Sequence, residues 1–225
     1  MAVREYALVV AGGKGTRIPG TLPKQFLPLN GRPILLHTLD AFHRYNTQLP
    51  VVLVLPADDR DTWVRITQEH QVHNSITLVD GGETRFQSVR NGLAVLSGDG
   101  LVAIHDGVRP LISEDIIGAS FRLAAAHKTA IAAVRLKESI RMTDQDTTRA
   151  VDRSRFRLIQ TPQTFDLSLI RKAYQQKEDA TMTDDASVAE RAGFSISLFE
   201  GSYENIKITT PEDLDIMAKV VPLGV

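Results

Sequence analysis

Three glycines follow directly on the first apolar segment of the chain. Residues 7–11 read as a buried strand, and they run into Gly12, Gly13 and Gly15. Because glycine has no Cβ, successive backbone N–H groups can turn toward one ligand, and such concave arrays bind anions. The segment therefore predicts a loop whose backbone, from Ala11 onward, can hold phosphate.

Cations are concentrated in and after this loop. No Asp or Glu occurs between Glu5 and Asp40, whereas four cations do, namely Lys14, Arg17, Lys24 and Arg32. A glycine-rich turn with solvated cations is one interpretation. A polyphosphate site is the other, and the absence of neighbouring carboxylates favours it.

The loop does not match the common nucleotide-binding motifs. No Gly-Lys-Ser or Gly-Lys-Thr follows at the spacing of a P-loop. Ile18 stands where a dinucleotide-binding fold would carry its third glycine after Gly13 and Gly15. A dehydrogenase is consequently a weak hypothesis.

Length and composition predict one globular domain over residues 1–225, and the alternation of strands and helices makes it an α/β domain. The chain has 225 residues, of which 43% are hydrophobic and 24% charged, with a formal net charge of −1. It has no cysteine, which excludes disulfides, thiolate catalysis and cysteine-based zinc sites. The near-neutral charge gives no reason to expect nucleic acid or a membrane as partner. The first apolar run is too short to span a bilayer and leads into no cleavage site, so we expect a cytoplasmic protein.

Strand and helix patterns alternate along most of the chain, which predicts a mainly parallel sheet covered by helices on both faces. Predicted strands lie at 51–55, 76–79, 101–104, 130–134 and 195–199, and predicted helices at 34–45, 58–70, 84–96 and 113–126. On the helix at 84–96, Arg85, Ser88 and Gly92 share one face.

Two charged residues follow the predicted strand at 101–104. The carboxyl ends of parallel strands face the ligand crevice in open α/β sheets. Asp106 is therefore placed to hold Mg²⁺ against phosphate oxygens, and Arg109 to contact a second phosphate or a polyol. A local ion pair between Asp106 and Arg109 that shapes the turn is the alternative.

The second half of the chain departs from the alternating pattern. Residues 137–157 are dense in charge and poor in large apolar side chains, so they form either a disordered loop or a projecting hairpin arm. Thr183 is expected at the cap position of a helix. Residues 205–209 alternate like a strand that turns Lys207 away from its isoleucines, toward either solvent or a ligand. Thr210 and Pro211 predict the start of a last helix.

The glycine loop and several later segments together resemble the 2-C-methyl-D-erythritol 4-phosphate cytidylyltransferase family of isoprenoid precursor synthesis. The shared segments are A-G-G-K-G-T-R with P-K at 11–24, G-G-E-T-R-F-Q-S at 81–88, Q-T-P-Q-T-F at 160–165, T-D-D-A-S at 183–187 and N-I-K-I-T-T-P-E-D-L at 205–214. Gly12 stands where many members have alanine, and Ser139 where threonine is common. The resemblance implies a Rossmann-like nucleotidyltransferase domain with a projecting β-hairpin arm.

The resemblance also implies an activity, which is the Mg²⁺-dependent transfer of CMP from CTP to a polyol phosphate, and a homodimer in which the arm reaches the partner's site. The implied catalytic residues are Arg17, Lys24 and Lys207; the implied nucleotide-binding residues are Ala11, Gly12, Gly13, Gly15, Gly82 and Ser88; and the implied substrate-binding residues are Asp106, Arg109, Ser139, Arg153, Thr161 and Thr183, with Asp106 also on the metal.

Two further functions stay open at this stage. Ribitol 5-phosphate cytidylyltransferases share the A-G-G-K-G-T-R and P-K-Q-F-L-P-L segments, although the segments at 81–88 and 183–187 fit the methylerythritol enzyme better. A nucleotide-binding sensor without chemistry would tolerate the loss of Lys24, Asp106 or Lys207, and all three residues are present.

Overall fold

The structure is a computed structural model that describes residues 3–12, 22–72 and 75–221. The strands are β1 (Glu5–Val10), β2 (Pro28–Leu29), β3 (Arg32–Pro33), β4 (Val51–Leu55), β5 (Ile76–Asp80), β6 (Leu101–Asp106), β7 (Thr129–Arg135), β8 (Ile140–Asp144), β9 (Thr147–Val151), β10 (Arg157–Asp166) and β11 (Leu198–Glu200). The helices are α1 (Ile34–Tyr45), α2 (Arg60–Glu69), α3 (Arg85–Val95), α4 (Glu114–His127), α5 (Leu167–Ala173), α6 (Asp185–Arg191) and α7 (Pro211–Val220). Short 3₁₀ turns occur at Lys24–Phe26, Ala57–Asp59 and Arg153–Arg155.

A seven-stranded sheet with the order β11-β7-β10-β6-β1-β4-β5 forms the centre of the fold. Its strands are parallel except β10, which runs antiparallel to both neighbours. The order of the strands reverses at β1, since β4 and β5 lie on one side of it and β6 lies on the other. The prediction of a mainly parallel α/β sheet is confirmed.

The core lies in two layers, one on each face of the sheet. Alternation along β1 sends Tyr6, Leu8 and Val10 into the layer under α3, α5 and α6, and Ala7 and Val9 into the layer under α1, α2 and α4. All five side chains are buried, as expected for a central strand covered on both sides.

A third, smaller apolar cluster seats the end of the chain against the rest of the fold. Ile208 and Met217 are fully buried in it, together with Leu29, Ile34 and Val108. A capping box between Thr210 and Asp213, with Pro211 in the first turn, starts α7 where the sequence predicted it. This cluster fixes the segment that carries Lys207.

Residues 140–151 form an antiparallel hairpin of β8 and β9 that is exposed along most of its length. Of the two alternatives for residues 137–157, the structure therefore shows the hairpin. Its side chains are mostly polar or charged, which explains why the hairpin adds nothing to the core clusters.

Two local predictions were wrong. The residue that caps α6 is Asp184, whose side chain accepts a hydrogen bond from the backbone N–H of Ser187, and Thr183 lies one residue before it. Residues 205–209 are not a strand, although Ile208 is buried as the alternation predicted. The backbone of this segment bonds Val108 through the N–H of Ile208, at a single point instead of along a ladder.

Candidate active site

A pocket lies at the carboxyl ends of β1, β4, β5 and β6, and among the described residues it has a volume of about 540 Å³. That size suits a small ligand. Pairing in register places Val10 of β1 beside Asp106 of β6, so the residues after both strands open toward the same space. The lining residues are Val10, Ala11, Gly12, Lys24, Gln25, Pro56, Gly82, Glu83, Thr84, Arg85, Ser88, Asp106, Val108 and Lys207.

One wall of the pocket consists of the turn before α3 and the first turn of that helix. The backbone N–H of Gly82 donates to Oγ of Ser88 at 3.1 Å, and this hydroxyl donates to the carbonyl of Thr84 at 2.9 Å. A Cβ on Gly82 would lie 2.3 Å from Cβ of Gln87, so a larger residue cannot occupy this position without moving the helix. A Cβ on Gly12 would come within 3.5 Å of the same Ser88 hydroxyl. Gly12, which follows β1, thus packs close to the first turn of α3 and continues the same wall.

Asp106 lies at the bottom of the opposite wall, surrounded by three cations. Its Oδ2 is 2.9 Å from Nζ of Lys207 and 3.4 Å from Nε of Arg109, and its Oδ1 is 3.6 Å from Nε of Arg85. Burial raises the pKa of Asp106, but the charges of Arg85, Lys207 and Arg109 outweigh this effect and hold the pKa well below its ordinary value. Asp106 is therefore ionised at neutral pH.

Two lysines from opposite ends of the sequence meet at this pocket. The side chain of Lys207 is 41% exposed, so its ammonium can reach both Asp106 and a ligand. Nζ of Lys24 donates a hydrogen bond of 3.3 Å to the carbonyl oxygen of Ile208, the residue that follows Lys207. The excess of positive over negative charge around Asp106 suits a polyanion better than a neutral ligand.

Arg109 is held by the protein on two sides. One of its terminal nitrogens donates to the carbonyl of Asn205 at 2.7 Å, while Nε faces Asp106. Arg109 is only 9% exposed and does not line the pocket. In this structure it ties the segment that carries Lys207 to the end of β6, which is the ion-pair interpretation of the sequence.

Thr161 supports Asp106 from the neighbouring strand β10. Its Oγ1 accepts a hydrogen bond from the backbone N–H of Asp106 at 3.1 Å and lies 3.0 Å from Nδ1 of His105. Nε2 of His105 is 3.3 Å from the carbonyl of Arg109, so this imidazole is bonded at both nitrogens. Burial lowers the pKa of His105 to about 4, which leaves the ring neutral. Thr161 is 4% exposed and hydrogen-bonds protein groups in this structure.

Three further predicted site residues lie outside this pocket. Ser139 and Arg153 belong to the exposed arm, and Arg153 donates to the backbone carbonyl of Lys137. Thr183 is exposed and does not line the pocket. Gly13, Gly15 and Arg17 fall outside the described residues.

Arg85 is a pocket residue that the sequence did not predict, and Asp185 is its buried partner behind the pocket. Arg85 lines the pocket and makes a bidentate ion pair with Asp185, with nitrogen-to-oxygen distances of 2.9 and 2.7 Å. Both residues lie inside segments that carried the family resemblance, G-G-E-T-R and T-D-D-A-S. A positive charge in one shared motif and a negative charge in the other could have indicated this ion pair from the sequence.

Comparisons with known proteins identify the family whose motifs the chain carries. The model of the family described as 2-C-methyl-D-erythritol 4-phosphate cytidylyltransferase matches residues 6–221. The chain belongs to this family. Relatives of that name from Bacteroides fragilis and Porphyromonas gingivalis are 46% and 47% identical to the chain, covering 96% of it in both cases and 98% and 97% of the relatives.

Solved structures agree with this assignment. A 4-diphosphocytidyl-2C-methyl-D-erythritol synthase from Anaerococcus prevotii superimposes with a TM-score of 0.84 at 30% identity, covering 97% of this chain and 96% of that one. The 2-C-methyl-D-erythritol 4-phosphate cytidylyltransferase from Thermus thermophilus superimposes with a TM-score of 0.76 at 28% identity, covering 98% of each. The family match includes every pocket residue from Ala11 to Lys207. Among the described residues, no helix is long and apolar enough to cross a membrane.

Proposed function

We propose that this chain transfers CMP from CTP to 2-C-methyl-D-erythritol 4-phosphate, giving 4-diphosphocytidyl-2-C-methyl-D-erythritol and pyrophosphate. The observation that carries this proposal is the meeting of Lys24, Asp106 and Lys207 at one pocket in a member of the cytidylyltransferase family. A site with cations on one wall and a glycine and a hydroxyl on the other suits a nucleoside triphosphate. We place the reaction in the cytoplasm, where CTP is made and used.

The chemistry needs positioning and charge more than a strong base. A phosphate monoester has its second pKa near about 6, so the acceptor is already a nucleophile at neutral pH. One of its oxygens forms a bond to the α-phosphorus of CTP as the bond from that phosphorus to the β-phosphate oxygen breaks, and pyrophosphate leaves. Lys24 and Lys207 would stabilise the negative charge that develops on the phosphate oxygens, and we assign Arg17 the same role.

The nucleotide would bind in two parts. The backbone N–H groups from Ala11 through Gly12, Gly13 and Gly15 would hold the triphosphate. The cytosine ring would lie against Gly82 and Ser88, whose N–H and hydroxyl now bond each other and can be redirected to a base. Glycine at position 82 supports this assignment, because a Cβ there would clash with Cβ of Gln87 at 2.3 Å and move the turn whose N–H lies beside Ser88.

The donor set at Asp106 fits Mg²⁺. The ion prefers oxygen ligands and is usually held by one or two carboxylates together with substrate phosphates. Asp106 is an ionised carboxylate at the pocket, and the described residues contain no cluster of three or more acidic, histidine or cysteine side chains that would bind a metal without substrate. Asp106 would hold the ion, which when bound neutralises phosphate charge and orients the triphosphate. The same carboxylate keeps Lys207 directed into the pocket.

A homodimer would complete the acceptor site. Large apolar side chains are exposed on the arm and on the strand that follows it, namely Met142 at 45%, Phe156 at 40%, Leu158 at 52% and Ile159 at 41%. A second copy is the occupant we propose for this surface. Arg153, which lies between the hairpin and β10 and outside the pocket, would then contact the acceptor phosphate bound to the partner, with Ser139, Thr183, Arg109 and Thr161 contributing to the same acceptor site.

Subunit mixing tests the dimer. Lys24→Ala and Arg153→Ala, each inactive alone, should together regain up to about a quarter of wild-type activity, because half of the dimers are hybrids and each hybrid has one intact site. A mixture that stays inactive although hybrid dimers are demonstrated would show that Arg153 acts within its own chain or not at all.

Acceptor choice tests the reaction itself. Pyrophosphate release should be measured with CTP and Mg²⁺, in parallel with 2-C-methyl-D-erythritol 4-phosphate and with D-ribitol 5-phosphate. We expect release with the first acceptor alone. Release with ribitol 5-phosphate alone would assign the chain to another pathway. No pyrophosphate release with either acceptor, from folded protein that binds CTP, would favour a nucleotide sensor.

A further inference from the structure

A buried carboxylate lies behind the pocket, outside the lining surface. Asp185, the first residue of α6, has no exposed surface. Oδ1 accepts hydrogen bonds from Nη1 of Arg85 at 2.9 Å and from the hydroxyl of Tyr174 at 2.6 Å, and Oδ2 accepts from Nη2 of Arg85 at 2.7 Å. A buried charge is tolerated only when it is paired in this way.

The third nitrogen of the same guanidinium faces the active site. Nε of Arg85 lies 3.6 Å from Oδ1 of Asp106, and the Arg85 side chain is 29% exposed at the pocket. The guanidinium is planar and rigid, so fixing its two terminal nitrogens also fixes the direction of Nε. Two short bonds to Asp185 against one longer contact to Asp106 mean that Asp185 determines where Arg85 lies.

The phenol of Tyr174 makes this anchor stronger. Burial and the charge of Asp185 raise the pKa of Tyr174 well above its ordinary value, so the hydroxyl keeps the proton that it donates. The ring packs against Phe86, the residue next to Arg85, with ring centroids 4.6 Å apart. Tyr174 therefore supports both the carboxylate and the helix turn that carries the arginine.

We propose that Arg85 is a positioning residue for Asp106, and that Asp185 and Tyr174 form the anchor that holds it. Nε of Arg85 then faces Oδ1 of Asp106 from 3.6 Å, beyond hydrogen-bond distance, so this oxygen stays open to the metal ion, while Oδ2 faces Lys207 and Arg109. This division fixes the rotation of the carboxylate. The inference rests on the proposed function, because cytidylyl transfer is the reaction that an oriented Asp106 would serve.

The competing interpretation is that the ion pair only ties α3 to α6. A matched control separates the two. Arg171 of α5 binds the other end of α3, donating to the carbonyls of Leu93 and Leu96 and, at 3.2 Å, to that of Gly98. Arg171→Gln should lower the melting temperature without changing kcat by more than about twofold, because it loosens the helix far from the pocket.

The kinetic test uses Arg85→Gln, Asp185→Asn, the double variant and Tyr174→Phe. A small misplacement of a catalytic group costs about 100-fold, so we expect Arg85→Gln and Asp185→Asn to lower kcat by about 10- to 100-fold, with the KM for the acceptor changed by less than about threefold. Because Asp185 acts through Arg85, the double variant should be no slower than Arg85→Gln alone. Tyr174→Phe keeps the ion pair and provides a milder variant should Asp185→Asn fail to fold; we expect it to lose about 2- to 5-fold.

A readout without turnover keeps this inference separate from the proposed function. The carboxyl ¹³C chemical shift of Asp106 in the free protein reports the groups that face it. It should move in Arg85→Gln and Asp185→Asn, and by less in Tyr174→Phe, but stay in place in Arg171→Gln. Three outcomes would each overturn the proposal. One is a loss of kcat in Arg171→Gln equal to that in Asp185→Asn, and another is a double variant in which the two losses multiply. The third is an Asp106 resonance that does not move. Failure of the wild-type chain to release pyrophosphate would refute the proposed function. The Asp106 resonance would still show whether Arg85 positions Asp106.

Discussion

Gly92 is the residue through which α3 approaches the sheet most closely, and its replacement by alanine should be destabilising. A Cβ at this position would lie 2.8 Å from Cδ1 of Leu8 and 2.8 Å from Cγ2 of Val54. Both side chains are fully buried, and they come from adjacent central strands, β1 and β4. Neither can move aside without disturbing the core, so the helix must shift outward.

Two effects of opposite sign decide the size of the change. Alanine is preferred over glycine inside a helix by about 1 kcal/mol. Forcing a methyl group into a filled core costs about 1–3 kcal/mol, and two contacts under 3.0 Å place Gly92 in the middle of that range. We therefore expect Gly92→Ala to lower the free energy of unfolding by about 1 kcal/mol, or the melting temperature by about 2–4 °C.

Gly118 of α4 provides the matched control. A Cβ there would meet the flexible end of Arg122 at 3.0 Å and the ring of Tyr45 at 3.3 Å. The exposed Arg122 side chain can move, so the helix preference should prevail and Gly118→Ala should be as stable as wild type or more stable, by up to about 1 kcal/mol. Urea unfolding of both variants, at unchanged dependence on denaturant, measures the difference.

The displaced helix should also weaken nucleotide binding, because α3 carries Ser88 and its first turn bonds Gly82. We expect a higher KM for CTP in Gly92→Ala and an unchanged KM in Gly118→Ala. Equal stability of the two variants would refute the reasoning about packing, and a destabilised Gly92→Ala with the wild-type KM would refute the link to the pocket.

Three further variants test individual assignments. Lys24→Ala should lose about 10²- to 10³-fold in kcat at an unchanged melting temperature, measured by pyrophosphate release, because a charge aimed at the transition state is removed; near-normal turnover would contradict its role. Ser88→Ala should raise the KM for CTP about tenfold with little change in kcat, since it removes a hydroxyl that we assign to base binding, and an unchanged KM would exclude that contact. Thr161→Val should lower the free energy of unfolding by about 1–3 kcal/mol because the N–H of Asp106 and Nδ1 of His105 lose their partner, whereas Thr161→Ser should not; urea unfolding of the pair decides, and equal stability would show that the hydroxyl does not support Asp106.

Local signals predicted every helix except α5, Leu167–Ala173. The bounds of α1 agree with the apolar spacing, and α7 begins at Pro211 after its predicted cap. Thr183 was mistaken for the cap of α6 because threonine and aspartate both cap helices and the two residues are adjacent. The error at 205–209 has a similar origin. Ile206 and Ile208 alternate because they pack into the small apolar cluster, and alternation alone does not reveal whether a neighbouring strand exists.

Contacts between distant segments could not be predicted in the same way. β10 was not among the predicted strands, because Arg157–Asp166 is rich in polar residues and contains Pro162, and its antiparallel direction could not be predicted either. Arg85 and Asp185 are separated by 100 positions, and only the packing of α3 beside α6 brings them together. The sequence could not show that Arg109 is buried between Asp106 and the carbonyl of Asn205, and its contact with a second phosphate or a polyol stays a prediction.

The pocket draws on two kinds of structural support, which should respond differently to mutation. The positions of backbone groups such as Gly12 and Gly82 depend on the register of the parallel strands and on the packing of α3 against the sheet. Changes that disturb this packing should therefore reduce stability and nucleotide affinity together. The charges at the pocket are different. The segment that carries Lys207 is held by the hydrogen bond from the N–H of Ile208 to the carbonyl of Val108, and the Lys207 side chain is 41% exposed, so replacing it should leave the fold nearly intact. Gly92→Ala and Lys24→Ala probe these two kinds of support separately. If both variants lost stability and turnover in the same proportion, the separation of scaffold from charge in this site would be wrong.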